Sequence, residues 1–128
     1  MPADFQVFLV EDHPVMREAY VAVLTEEPDI TLCGVVENAE QALDALAGLP
    51  CDLLVTDLRL PGMSGVDLVR RLHADRPGLP ALVISAHEED VYAQRAREAG
   101  AAAFLSKQGL AATLVPTIRG LLQSRCAE

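Results

Sequence analysis

Basic residues are scarce in this chain. Ten Lys and Arg stand against 19 Asp and Glu, a formal charge of −9. That balance opposes direct nucleic-acid binding by the domain, because a phosphate backbone selects basic surfaces. Otherwise an acidic excess speaks only for solubility. Cysteine is scarce too: Cys33, Cys51 and Cys126 are an odd number with no C-x-x-C pair. Reduced thiols in a reducing compartment are expected. The start, Met1-Pro2-Ala3-Asp4, lacks the basic opening and apolar core of a signal peptide. No apolar run approaches the length needed to span a bilayer. A soluble cytoplasmic protein with no membrane partner is the expectation.

Missing motifs narrow the chemistry. His13, His73 and His87 have no metal-ligand spacing, which argues against zinc. No G-x-x-x-x-G-K or G-x-G-x-x-G occurs, which removes the usual nucleotide loops. There is no G-x-S-x-G elbow. Repeats and low-complexity segments are absent as well.

What is present is one domain's worth of chain: 128 residues, 51% hydrophobic and 23% charged. Short apolar runs at residues 5–10, 30–36, 53–56, 81–84 and 103–106 read as strands. Between them lie helical patterns. Pro14 suits a first helical turn, and Val15, Ala19, Ala22 and Val23 recur at helical spacing up to Pro28. Asn38 reads as an N-cap before Ala39, Ala42, Leu43 and Leu46. Ser64 or Gly65 starts a third helix with Leu68, Val69 and Leu72 inward. A fourth runs from about Glu89 to Ala99 and ends at Gly100. In the fifth, Leu110, Leu114, Ile118 and Leu121 share a face, and Pro116 is a potential bend.

Five alternating strand–helix units predict an α/β fold, a doubly wound five-stranded parallel sheet covered on both faces. In such sheets, sites form at the carboxyl ends of the strands. That rule sorts the polar residues. Glu11 and Asp12 follow the first strand, Asp57 ends the third, Ser85 the fourth and Lys107 the fifth. Like charges about 4 Å apart repel by roughly 4 kcal/mol at an effective dielectric near 20. Clustered acids therefore call for a cation, and Mg²⁺ suits oxygen ligands. Asp12 and Asp57 are the expected direct ligands, with Glu11 partly through water. Asp57 is the expected nucleophile for an acyl phosphate. Lys107 would neutralise the phosphoryl oxygens, and Ser85 would donate a hydrogen bond to them. Each residue alone has an ordinary reading: helix-start acids, a turn aspartate, a helix-capping serine, a surface lysine. Their joint placement at strand ends carries the chemical one.

These residues resemble a known family. FLVEDHP, LLVTDLRLPGMSGVDL, LVISA and GAAAFLSK look like the motifs of a receiver domain of bacterial two-component response regulators. The opening EDHPVMREAYVAVL and the ending FLSKQ are most similar to the NarL/FixJ-type subfamily. The resemblance spans about residues 5 to 122 of a single domain, 1–128. It implies a flavodoxin-like fold of strand order 2-1-3-4-5. It implies phosphoryl transfer to Asp57 from the phosphohistidine of a sensor histidine kinase, with self-catalysed dephosphorylation and no external metabolic substrate. Glu11, Asp12, Asp57 and the backbone carbonyl of Arg59 would hold Mg²⁺. Ser85 and Phe104 would be the switch pair, remodelling the face made by the fourth helix, fifth strand and fifth helix. A core aromatic is the plain alternative for Phe104. Val15, Met16 and Gln108 are candidates for kinase contact, and a homodimer on phosphorylation is weighed equally with a monomer. Members of the subfamily usually carry a C-terminal DNA-binding domain. The chain is expected to be either a stand-alone receiver or, as favoured, part of a longer regulator, where DNA would be reached only through such a domain.

Two departures stand out. Many receivers follow the lysine with a cis-proline, but here Gln108 follows, so no cis-proline is expected. Arg59 and His87 flank the acceptor and the hydroxyl and are candidates for tuning phosphoryl lifetime. Rival functions are a phosphatase or phosphotransferase with an aspartyl-phosphate intermediate, and a pseudo-receiver scaffold. The first usually has an acid two residues after the nucleophile, where Arg59 stands. The second is weakened because acid pair, acceptor, hydroxyl and lysine are all present.

Overall fold

The computed structural model describes residues 5–86 and 90–126. Its elements run β1 (Phe5–Val10), α1 (Pro14–Thr25), β2 (Ile30–Val36), α2 (Ala39–Leu46), β3 (Leu53–Asp57), α3 (Gly65–Asp75), β4 (Ala81–Ser85), α4 (Asp90–Ala99), β5 (Ala103–Ser106) and α5 (Leu110–Cys126). The strands form one parallel sheet of order β2-β1-β3-β4-β5. The expected flavodoxin-like fold and strand order are both borne out.

Continuous apolar strands bury both faces. Phe8, Val10, Leu54 and Val83 pack with Leu46, Leu68, Leu72 and Ala96 on the side of α2, α3 and α4. Val7, Leu9, Leu53, Val55, Leu82 and Ile84 pack with Tyr20, Leu24, Leu114 and Ile118 on the side of α1 and α5. Neighbouring residues of one strand thus serve opposite cores, as the two-residue period of a strand requires. Burying a side chain such as Leu or Ile stabilises by roughly 1.5–3 kcal/mol, so these two layers hold the sheet rigid beneath its polar edge.

Two helix faces differ from expectation. On α1, Val15 is 68% exposed and Ala19 and Ala22 also face solvent, whereas Tyr20 and Leu24 are buried. The larger side chains, one turn apart, win the inward stripe because they bury more apolar area than alanines. On α5, Leu122 rather than Leu121 completes the buried series Leu110, Leu114, Ile118. The strict four-residue step carries the stripe to Leu122. Pro116 lies inside α5, which continues through it to Cys126; it sits on the exposed side, where water can satisfy the freed carbonyl. Glu89 and His87 lie outside the described residues, and α4 is described from Asp90. The described residues contain no cis peptide bond and no helix long and apolar enough to cross a membrane.

Candidate functional site

β1 and β3 are adjacent, with Val10 opposite Thr56, so the residues after β1 stand beside the end of β3. β4 lies on the other flank of β3, with Ile84 opposite Asp57. β5 follows, its last residue Ser106 opposite Ser85. Backbone bonds hold the edge: Leu58 N donates to Ile84 O at 2.8 Å, and Lys107 N donates to Ser85 O at 2.7 Å. The chain then leaves Asp57 through a tight loop closed by Gly65 N donating to Leu58 O at 2.9 Å. A Cβ at Gly65 would fall 2.0 Å from the Asp57 carbonyl oxygen, so only glycine fits there. Ser64 caps α3, its Oγ accepting from Asp67 N at 3.1 Å.

Glu11, Asp12 and Asp57 each bring a carboxylate oxygen to this edge, all within 4.8 Å of one another. Their surroundings differ. Glu11 is fully buried, Asp57 is 7% exposed, and Asp12 faces solvent. Lys107 Nζ lies 3.3 Å from Asp57 Oδ2 and 3.3 Å from Glu11 Oε1. It is the chain's only lysine. The contact to Asp57 is a hydrogen bond. The contact to Glu11 is an ion pair, and Glu11 Oε1 has no hydrogen-bond partner among the described residues. The other oxygen, Oε2, accepts from His13 N at 3.2 Å.

Burial first, and then the neighbouring charge of Asp57, pushes Glu11 up to about 7. Burial pulls the Lys107 ammonium down, but the charges of Asp57 and Glu11 outweigh it, and the net shift is upward. Burial, with the charges of Glu11 and Asp57 behind it, also raises Tyr20. The Tyr20 hydroxyl is buried without a hydrogen-bond partner among the described residues, a state costing about 1–3 kcal/mol.

The other expected residues are near but differently engaged. Ser85 is 1% exposed at the end of β4, part of the strand. Phe104 on β5 is partly buried against the core on the α2–α4 side. The Arg59 side chain is exposed and lines a cleft of about 750 Å³ with Leu58, Leu60, Asp67, Arg70 and Arg95. That cleft lies between the β3–α3 loop, α3 and α4, and none of the three acids lines it. Two residues escaped the reading of the sequence. Glu40 of α2 accepts from Met63 N at 3.3 Å and so tethers the loop after Asp57; nothing local in the sequence signals that. Tyr20 did carry a signal, a polar-tipped aromatic at helical spacing before Leu24.

A family model described as the response regulator receiver domain matches residues 7–119. The chain belongs to that family. The receiver is 34% identical over 87 residues to the nitrate/nitrite response regulator NarL of Escherichia coli strain K12, covering 66% of this chain and 40% of that protein. It is 38% identical over 110 residues to a protein-glutamate methylesterase/protein-glutamine glutaminase of Syntrophus aciditrophicus, covering 84% of this chain and 31% of that protein. The fold superimposes on the signal receiver domain of NarL from Mycobacterium tuberculosis with a TM-score of 0.89 at 27% identity, covering 95% of this chain and 98% of that one. On a LuxR-family response regulator from Aurantimonas the TM-score is 0.90 at 28% identity, covering 96% and 88%. The neighbours are thus NarL/LuxR-type receivers, in line with the resemblance. The chain spans about half or less of the length of several curated relatives.

Receivers bind Mg²⁺ at an acidic pocket, and the residues here fit it. Three hard oxygen donors converge, and a buried carboxylate oxygen, Glu11 Oε1, lacks a hydrogen bond among the described residues.

Proposed function

We propose that Asp57 accepts a phosphoryl group from a histidine kinase and that this event switches the face made by α4, β5 and α5. The observation that supports this most is the shared ammonium: Lys107 reaches both the Asp57 and Glu11 carboxylates at 3.3 Å. A single cation between two buried acids is under-neutralised, and room for more positive charge suits a divalent ion.

Bound Mg²⁺ would be held by Glu11, Asp12, Asp57 and the Arg59 carbonyl, and would neutralise phosphoryl oxygens. With Glu11 fully buried and its Oε1 without a hydrogen bond among the described residues, it joins Asp12 and Asp57 as a direct ligand in this reading. An Asp57 carboxylate oxygen forms the new P–O bond as the P–N bond to the donor imidazole breaks. The imidazole keeps the electron pair and takes a proton from solvent. Lys107 follows the phosphoryl oxygens, and the Ser85 hydroxyl donates to another of them. Because Lys107 N is bonded to Ser85 O at 2.7 Å, the ends of β4 and β5 move together. Phe104, three residues before Lys107 on β5, carries that shift to the surface.

The domain then acts as a signalling module rather than a metabolic enzyme. It works in the cytoplasm, contacts no DNA itself and drives a C-terminal, transcription-regulating output domain in the full protein. Exposed Val15, beside the acids, with Met16 and Gln108, forms the kinase contact. Phosphorylation favours a homodimer through the switched face.

The test is incubation with Mg²⁺ and acetyl phosphate, comparing parent and Asp57→Asn by intact mass. Acid-stable, base-labile phosphate on the parent alone is expected. No phosphate on either protein would leave a phosphorylation-independent scaffold. Continuous rapid consumption of the donor would indicate a phosphatase.

A further inference from the structure

We propose that the Tyr20 hydroxyl is a second seat for the Lys107 ammonium, occupied when a divalent cation is bound and no phosphoryl group is present. The proposal rests on the receiver reading above.

A cavity of about 160 Å³ lies between α1 and α5, walled by Met16, Val23, Leu110 and Leu114. Two polar side chains also line it, Tyr20 and Lys107. Tyr20 is only 4% exposed, and its hydroxyl has no hydrogen-bond partner among the described residues. A buried hydroxyl left unpaired destabilises the state in which it is unpaired. Phenylalanine would fill the same space without that defect. The oxygen makes sense if another state uses it.

The acid cluster defines that state. Without metal, Lys107 sits against Asp57 and Glu11. A divalent cation among the same carboxylates cancels the field that holds the ammonium and repels it. Lys107 cannot travel far, because its backbone N–H is bonded to Ser85 O at 2.7 Å. Its side chain already borders the cavity, whose volume exceeds the roughly 30 Å³ that one water occupies. A phenol oxygen can accept from an ammonium brought against it, and Tyr20 and Lys107 line the same cavity. Lys107 thereby waits in a preorganised position from which a short swing returns it to an incoming phosphoryl oxygen. Tyr20 is a positioning residue that acts through Lys107.

The single lysine makes the test clean. The full chain labelled at lysine Cε and Nζ gives one side-chain signal. It is followed by NMR during Mg²⁺ titration of the parent and of Tyr20→Phe, and Mg²⁺ affinity is measured by calorimetry. In the parent, Mg²⁺ is expected to move the Lys107 signal and bring it close to the Tyr20 ring. In Tyr20→Phe the metal-bound signal should resemble a solvated lysine, and Mg²⁺ should bind about threefold more weakly, the loss of one hydrogen bond. Metal-free Tyr20→Phe should melt no lower than the parent, which excludes a folding defect. In a Lys107→Met background, Tyr20→Phe should leave Mg²⁺ affinity unchanged. Identical metal-bound lysine signals in the parent and Tyr20→Phe would overturn the proposal, as would a Tyr20→Phe effect undiminished without Lys107. A parent that takes no Mg²⁺ overturns the receiver reading and this inference together. A parent that binds Mg²⁺ and accepts phosphate, with Lys107 indifferent to Tyr20, overturns this inference alone.

Discussion

Glu11 and Asp57 share one ammonium, Lys107 Nζ standing 3.3 Å from an oxygen of each. One positive charge cannot balance two buried carboxylates, so Glu11 is pushed up to about 7 by burial and by Asp57. Its folded value thus exceeds the ordinary 4.5. Between those two pH values the folded state binds more protons than the unfolded chain, so stability falls as pH rises across the window. The loss is about 3 kcal/mol, from roughly 1.4 kcal/mol per pH unit. Urea midpoints in the presence of a chelator, for the parent minus Glu11→Gln, should fall between pH 5 and pH 8. A difference that rises over that range would refute the assignment. Saturating Mg²⁺ should flatten the curve, because the ion holds Glu11 ionised.

In the proposed chemistry Lys107 and the metal compete for the same oxygens. Its replacement by Met should therefore weaken the metal-free fold at pH 8, above the raised value of Glu11, by about 1–3 kcal/mol. At pH 5, where Glu11 is protonated, the cost should be much smaller. Mg²⁺ should bind Lys107→Met more tightly than the parent, even as phosphoryl transfer fails. Calorimetry showing weaker Mg²⁺ binding would mean that Lys107 supports the metal rather than opposing it.

Gly65 has no room to grow. Its φ is ordinary, yet an added Cβ would lie 2.0 Å from Asp57 O and 3.1 Å from Leu58 Cα. Both are backbone atoms at the proposed acceptor, so neither can turn aside. Gly65→Ala should destabilise the fold by about 3 kcal/mol, the upper range for overpacking. It should also abolish phosphoryl uptake under conditions where the protein remains folded. Retained uptake would show that the loop carrying Arg59 can move without harm.

Glu40 acts on that loop from the other side. Its carboxylate accepts from Met63 N at 3.3 Å on an exposed face. Glu40→Ala should change stability by less than about 0.5 kcal/mol, as surface changes usually do. The rate of phosphorylation and Mg²⁺ affinity should both fall several-fold, because the carbonyl of Arg59 is less well held. Glu40→Gln keeps an acceptor and should restore most of both. If alanine and glutamine behave alike, the bond is ornamental.

Much of this site was readable because strand ends are chemically legible. Asp57, Ser85 and Lys107 each close or directly follow an apolar run, and the parallel topology carries them to one edge. The apolar content of β3 and β4 left little doubt about which segments were buried. Helix faces were harder. Val15 and Ala19 fit a helical period as well as Tyr20 and Leu24 do, and only the competition for buried area decides between them. The burial of Glu11 was hidden too. Nothing local distinguishes it from Asp12; the difference arises from β2 beside it, where Glu11 N donates to Val36 O at 3.0 Å. Pairings across long separations, such as Glu40 with Met63, leave no mark on the residues between them.

Arg119 on α5 illustrates the same point. From α5 it donates to Asp29 through Nη1 to Oδ2 at 2.6 Å and Nη2 to Oδ1 at 2.8 Å, and it also pairs with Glu27. This fork fastens α5 to the turn before β2. The Arg119 hydrogen bond holds Asp29 below its ordinary value of 3.8. A carboxylate so depressed contributes its stability above that value and loses it as pH falls through the lower, folded one. The groups are partly exposed, so salt screens them. Arg119→Ala should lower the thermal midpoint at neutral pH, with the difference shrinking in 1 M salt and again in strong acid. Amide exchange should quicken along α5 around residue 119 and stay unchanged in β3. Because α5 belongs to the face that phosphorylation is proposed to remodel, the same variant should shift toward the switched state more readily. Uniform exchange across the whole sheet would instead make the fork a global brace with no special hold on α5.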